Sequence, residues 1–132
     1  MALKLTLKPG EKLVVNGAVM ENGDRRAVLV VKNRASVLRE KDIMQPAQAN
    51  TPMRRIYFAV MMLYLDEGSQ RQFYDEFLLR MTEFMNAIST PEAVQTCLAI
   101  IGHVNAKEYY KALLACRKLF PFEEARLHYV AA

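Results

Sequence analysis

The chain has little of what catalytic and metal sites are usually built from. It holds two cysteines, Cys97 and Cys116, and two histidines, His103 and His128. No CxxC pair or Cys/His spacing suits zinc, so the two thiols read as reduced and buried in a cytosolic protein, with no metal expected. His103 follows Gly102 near an expected helix end and reads as a surface or capping residue. Neither histidine stands beside a Ser or Cys in a nucleophile context. P-loop, GxGxxG and HExxH motifs are absent, so no catalytic residue and no cofactor is expected. The longest apolar run, Ile56 to Leu65, is ten residues, against the ~20 that cross a bilayer. The opening MALKLTLKPGEK has neither the apolar core nor the cleavage site of a secretory signal. Repeats and low-complexity segments are missing too. These absences point to a cytoplasmic, non-membrane chain that is not an enzyme.

What is present divides near Pro52. Up to Arg55 the sequence alternates as strands do and carries eleven Lys/Arg against five Asp/Glu; beyond it the pattern is helical, with seven bases and nine acids. The net charge of +4 is thus concentrated in the first part. Such asymmetry points to a polyanionic partner more than to a small substrate. A length of 132 residues and a hydrophobic fraction of 52% fit one domain or two small coupled halves.

Leu3, Leu5 and Leu7 alternate with Lys4, Thr6 and Lys8, a strand with one wet face. Pro9-Gly10 suits a type II turn. Lys12 to Asn16, Ala18 to Met20, Arg26 to Lys32 and Ala35 to Arg39 supply four more strands, and Glu21-Asn22-Gly23-Asp24 reads as a hairpin turn. Five short strands imply a small meander or barrel, a unit marginal by itself and in want of a partner surface. Pro46 and Pro52 then break periodicity, and Thr51-Pro52 looks like an N-cap followed by Pro at the first helical position. Ile56 to Leu65 is apolar on every face and should be a buried central helix. Ser69-Gln70-Arg71-Gln72 fits a capping box ahead of a stripe of Phe73, Phe77, Met81, Phe84, Met85 and Ile88. Thr90-Pro91-Glu92 opens a third helix with Val94, Leu98 and Ile101 expected inward, joined by Cys97 as a weaker candidate. Ala106 to Phe120 is a fourth, and Phe122 to Tyr129 adds a last turn or short helix. The expected architecture is α+β: a five-stranded antiparallel β unit over 1–45, a linker over 46–53, and a helical region of about four helices over 54–132.

The basic residues of the β unit stand at strand ends and turns, where long cations can reach a phosphate backbone. Taken one by one, each is more often a solubilising surface residue; taken together on some forty residues, they favour anion binding. The Met- and Phe-rich helices read mainly as core, with one stripe available to a partner helix.

Four stretches, LKLTLKPGEKLVVNGAV, NGDRRAVLVVKNRASVLREKDIMQP, TPMRRIYFAVMMLYLD and YYKALLACRKLFPFE, span most of the chain and resemble the FlbT family of post-transcriptional flagellin regulators. The resemblance implies a repressor that associates with the 5′ untranslated region of flagellin mRNA and promotes its decay, with a sign of regulation that differs among bacteria. It also implies a pathway shared with the small protein FlaF, hence a protein partner. As rivals to RNA binding, the chain would be a protein-binding regulator whose helical half docks a flagellar protein such as FlaF, or a flagellin chaperone-like adaptor with an exposed apolar groove on its helices.

Leu5-Thr6-Leu7-Lys8-Pro9-Gly10-Glu11 and Val37-Leu38-Arg39-Glu40 are also similar to the first and last strands of the carbon storage regulator family. Those are small strand-swapped dimers that bind GGA-containing mRNA leaders. This likeness implies Arg39 as the prime RNA contact, Lys8 and Thr6 beside it, and a homodimer or higher homo-oligomer. Leu7 stands where that family has arginine and Leu38 where it has histidine. An arginine fork can grip a guanine edge or a phosphate bidentately, which lysine cannot. The candidate RNA-binding residues are therefore Arg39, Lys8, Thr6, Lys4, Arg34 and Lys41.

Overall fold

The computed structural model describes residues 3–131, with residues 67 and 128–131 described by their backbone alone. The chain forms two compact units that divide between Ile43 and Met44. Five strands in the first and helices in the second make the fold α+β. At this division the first unit holds nine Lys/Arg against five Asp/Glu, and the second nine against nine. Arg54 and Arg55 belong to the helical unit, so the whole excess of positive charge lies on the β unit.

The β unit contains β1 (Leu3–Leu7), β2 (Lys12–Val15), β3 (Ala18–Glu21), β4 (Ala27–Val31) and β5 (Val37–Arg39). They build two antiparallel sheets, one of order β1-β4 and one of order β3-β2-β5. Of the meander or barrel expected, the meander is not formed: among the described residues β2 and β3 are the one sequence-adjacent pair that bonds. The hairpin turn is Asn16-Gly17, with φ of 49° and 83°. Both central residues at positive φ give a type I′ turn, whose twist matches the flanking strands. The second Asn-Gly, at 22–23, was expected to be a hairpin and is not. The Asn22 amide instead donates to the Lys8 and Arg25 carbonyls at 2.9 and 2.8 Å. Gly10 N–H reaches Gly23 O at 2.9 Å. That segment is spent tying the first turn down, and the chain leaves for the other sheet. Pro9-Gly10 is a type II turn as expected, with Gly10 at φ 72° and Glu11 N–H bonded to Lys8 O at 3.1 Å. Leu5, Leu7, Leu13 and Val37 form the core of this unit, with Val15, Val31 and Ala35 packed against them.

The helical unit contains α1 (Pro52–Leu65), α2 (Gln70–Asn86), α3 (Pro91–Asn105), α4 (Tyr109–Lys118) and α5 (Phe120–Ala131). Thr51 caps α1, its hydroxyl accepting from Arg54 N–H at 3.2 Å. Helix α1 is buried on nearly every face, with Met53, Ile56, Ala59, Val60 and Leu63 each at most 1% exposed. It packs on both α2 and α4. The capping box at Ser69 does not form: a 3-10 turn over Glu67–Ser69 runs straight into α2, and the Ser69 side chain makes no cap bond. Gln70 instead donates to the Leu63 carbonyl at 2.6 Å, closing the end of α1. The inward face of α3 holds Cys97 as expected and otherwise differs from expectation. Ala93, Cys97, Ile100 and Val104 are buried, while Leu98 is 55% exposed and Val94 and Ile101 are half-buried. Helix α3 packs on α4, whose buried residues include the small Ala112, Ala115 and Cys116.

Candidate nucleic-acid interface

Strand period two decides which side chains of the β1–β4 sheet share a face. The register places Lys4 opposite Val30 and Thr6 opposite Val28, while Leu5 faces Leu29 on the other side. Leu5 and Leu7 are buried, so the Lys4–Thr6 face is the outer one. Lys8 and Arg26, one residue past the paired ends, continue this alternation, as does Lys32 after β4. The paired residues put Lys4, Thr6, Val28 and Val30 on the outer face, and continuing the alternation by one position brings Lys8, Arg26 and Lys32 to its ends. The four cations are exposed, and the two valines are about half exposed. No acid occurs at 3–8 or 26–32. Alternate residues on a strand lie ~6.7 Å apart, so Lys4 and Lys8, four positions apart, stand ~13 Å from each other along one edge of this face.

Lys8 also borders a shallow cleft of about 570 Å³ lined by Pro9, Gly10, Glu11, Arg39, Glu40 and Lys41. Here Arg39 is engaged. Its Nε and Nη2 donate to the Glu11 carboxylate at 3.1 and 2.9 Å, and Nη2 also donates to the Thr6 carbonyl at 2.6 Å. Glu11 Oε1 in turn accepts the Lys8 N–H at 2.9 Å. The Lys8 amide and then the Arg39 guanidinium hold the Glu11 carboxyl below its ordinary value. This network joins β1, the first turn and β5, so Arg39 shapes the cleft while remaining partly exposed. Glu40 reaches across to the Lys12 N–H at 3.0 Å.

The structure thus gathers Lys4, Thr6 and Lys8 on one face, and Lys8, Arg39 and Lys41 around one cleft. Arg34 is exposed in the segment between β4 and β5 and is not among the residues lining that cleft. Arg26, one of the strand-end cations of the sequence but not among the six candidate contacts, joins the face, as do Lys32, Val28 and Val30, which the sequence did not single out. Their 26, 28, 30, 32 alternation was the available signal. What was missing was knowledge that β4 lies beside β1. The first 43 residues contain no Phe, Tyr or Trp, so this unit offers no aromatic platform for stacking bases. Contacts there rest on charge, apolar surface and the planes of arginines.

In the helical unit His103 Nδ1 lies 3.2 Å from Glu108 Oε1, which Lys111 also approaches through Oε2 at 3.0 Å. The side chain of His128 lies outside the described residues. Burial pushes the Cys97 thiol up to about 11 and raises that of Cys116 as well, the reverse of what a nucleophile needs.

A family model described as flagellar protein FlbT matches residues 3–127. The chain belongs to the FlbT family. It is 60% identical over all 132 of its residues to the flagellum biosynthesis repressor protein FlbT of Caulobacter vibrioides (strain ATCC 19089 / CIP 103742 / CB 15), covering 94% of that protein. It is 36% identical over 127 residues to a probable flagellum biosynthesis repressor protein FlbT of Rhodopseudomonas palustris (strain ATCC BAA-98 / CGA009), covering 96% of this chain and 98% of the relative. No solved structure matches. A family whose members are named repressors is consistent with a chain that is not an enzyme. Among the described residues no helix is long and apolar enough to cross a membrane.

Proposed function

We propose that this chain regulates flagellum synthesis after transcription, by binding the 5′ untranslated region of flagellin mRNA through the outer face of the β1–β4 sheet. The observation that carries the reading is the grouping of Lys4, Lys8, Arg26 and Lys32 around two exposed valines, with no acid on the paired segments. Its relatives' name, flagellum biosynthesis repressor, supplies the regulatory setting. Without aromatic residues, the β unit would bind mainly through phosphates, and arginine forks would supply what base recognition there is. Arg39 would act by holding the Lys8 turn and by its remaining exposed edge, with Lys41 and Arg34 extending the basic surface.

The test is filter binding to a flagellin leader across a salt series. Four phosphate contacts predict a slope of log affinity on log salt near −2.8, at about −0.7 per contact on a single strand. Substituting Lys4, Arg26 and Lys32 together by alanine should flatten it to roughly −0.7. Lys107→Ala with Lys118→Ala, exposed cations of the helical unit, should leave it unchanged. Equal affinity and slope in all three proteins would defeat the proposal.

A second reading has its own observation. Tyr110 and Leu114 on α4 and Leu98 on α3 are exposed, and Leu114 lines a groove with Ala99, His103 and Lys111. Such a surface suits a protein partner, for which FlaF is the candidate. A stoichiometric complex with FlaF, lost in Leu114→Glu, together with no leader binding by the chain alone, would favour it.

A further inference from the structure

We propose that the free edge of β3 pairs antiparallel with β3 of a second copy, centred on Met20, to give a six-stranded sheet of order β5-β2-β3-β3-β2-β5. This inference does not rest on the RNA reading.

The type I′ turn at Asn16-Gly17 makes Val15 and Ala18 a hydrogen-bonded pair. Bonding alternates from there, so Leu13 and Met20 also face each other through their backbones. Independent bonds agree. Asn16 N–H goes to Ser36 O at 2.8 Å, away from β3, and Asn22 N–H goes to Glu11 O at 2.8 Å, toward β2. The backbone groups of Val19 and Glu21 must therefore point off the sheet, along an edge where all four residues are exposed. Val19 is 75% exposed and Met20 45%. An apolar edge with outward-pointing peptide groups is a template for another strand.

Charge and geometry select a second copy's β3 as the occupant. Only odd positions of β3 can bond outward, and the two-fold axis that uses both of them within the strand passes at Met20, setting Val19 against Glu21 of the partner and Met20 against Met20 of the partner; an axis at Glu21 would oppose two carboxylates. Each of the two Val19–Glu21 pairs exchanges both backbone bonds. Across the joined sheet the row runs Lys12, Glu21, then the partner's Val19 and the partner's Val14, with no like charges adjacent. The edges of the β1–β4 sheet are less suited. Pairing β4 with itself across its full length would set Arg26 opposite Lys32 twice, a like-charge contact. On β1 the Thr6 carbonyl is already taken by Arg39.

The geometry fixes a test. Residues at a non-hydrogen-bonded antiparallel pair have Cα atoms ~4.5 Å apart, within disulfide reach. Met20→Cys, oxidised with diamide, which takes up the two thiol hydrogens, should give a covalent dimer under native conditions; Val28→Cys should not. Adding Val19→Pro removes an N–H that β2 does not use but the partner needs. With two backbone bonds lost, association should weaken about thirtyfold, and the covalent dimer should fall accordingly while circular dichroism stays native. If that variant fails to fold, Met20→Lys puts two like charges across the axis and must lower the dimer fraction by ultracentrifugation. No covalent dimer from Met20→Cys, or equal trapping at Val28→Cys, overturns the proposal. So does a dimer that survives the proline in a folded chain, or Met20→Lys where the proline chain is unfolded.

Discussion

Removing Glu123 should unfasten the start of α1 from α5. The residue is 6% exposed, and its carboxylate accepts the Thr51 hydroxyl at 2.5 Å and the Met53 N–H at 2.7 Å. It thus sits at the positive end of α1, satisfying an N–H that the helix cannot, and it steadies the Thr51 cap. Hydrogen bonds to an ionised group contribute about 1.5–3 kcal/mol each, so two set an upper limit near 6 kcal/mol. Two effects reduce this. The buried carboxylate itself costs desolvation, which Glu123→Ala recovers. The neighbouring cleft of about 380 Å³, lined by Gln48, Asn50, Thr51 and Arg54, can also admit water to the Met53 amide. The expected loss for Glu123→Ala is about 2–4 kcal/mol, or roughly 6–15 °C in Tm for a chain of this size. Glu123→Gln keeps the shape and one acceptor but not the charge, and should cost about half as much. Urea denaturation followed by helix ellipticity measures both. Thr51→Ala completes a double-mutant cycle, with a coupling of about 1 kcal/mol expected. If Glu123→Ala costs less than about 0.5 kcal/mol, or the pair proves additive, the reasoning about this cap is wrong.

Other outcomes follow from the same structure. Glu11, held below its ordinary carboxyl value, stabilises the fold above its unfolded pKa near 4.5 and loses that contribution as pH falls through its lower folded value. Arg39→Ala should therefore flatten the acid limb of the stability profile below about pH 5, and an unchanged limb would count against the Glu11–Arg39 network. Cys97, fully buried with its thiol pushed up to about 11, should resist aromatic disulfide reagents at pH 8 in the native protein and react once it is unfolded. Phe77→Ala empties a fully buried site on α2 and should cost about 3–5 kcal/mol in urea denaturation. Gly17→Ala places a side chain at φ 83° in the hairpin turn and should cost about 1 kcal/mol or more, read as a lower Tm.

Much of the local structure was legible because it is written in short range. Leu3, Leu5 and Leu7 alternate within five residues, Pro9-Gly10 states its turn type, and Thr51-Pro52 states a helix start. Misreadings came where two local signals competed or where no periodicity existed. Asn16-Gly17 and Asn22-Gly23 look alike, yet only the first joins paired strands; the second is captured by Gly10 and Lys8, residues twelve or more positions away. Helix α3 is apolar on nearly all sides, so its pattern does not say whether Leu98 or Ile100 faces in. The tertiary packing of α3 decides for Ile100, which is fully buried. Ser69 had the right neighbours for a capping box, but the chain entered α2 through a 3-10 turn that left its hydroxyl out of the cap.

The sequence by itself determined that a basic, strand-forming part precedes a nearly neutral helical one, because charge and period are sums over neighbours. It also held the stretches by which the family can be recognised. Only the tertiary structure decided which cations share a surface. Lys4 comes to lie opposite Val30 because β1 pairs with β4, and Arg39 turns toward Glu11 and Thr6 across 28 and 33 positions of chain. Strand pairing is a long-range choice made by the apolar core of Leu5, Leu7, Leu13 and Val37, and the charged face is whatever that burial leaves outside.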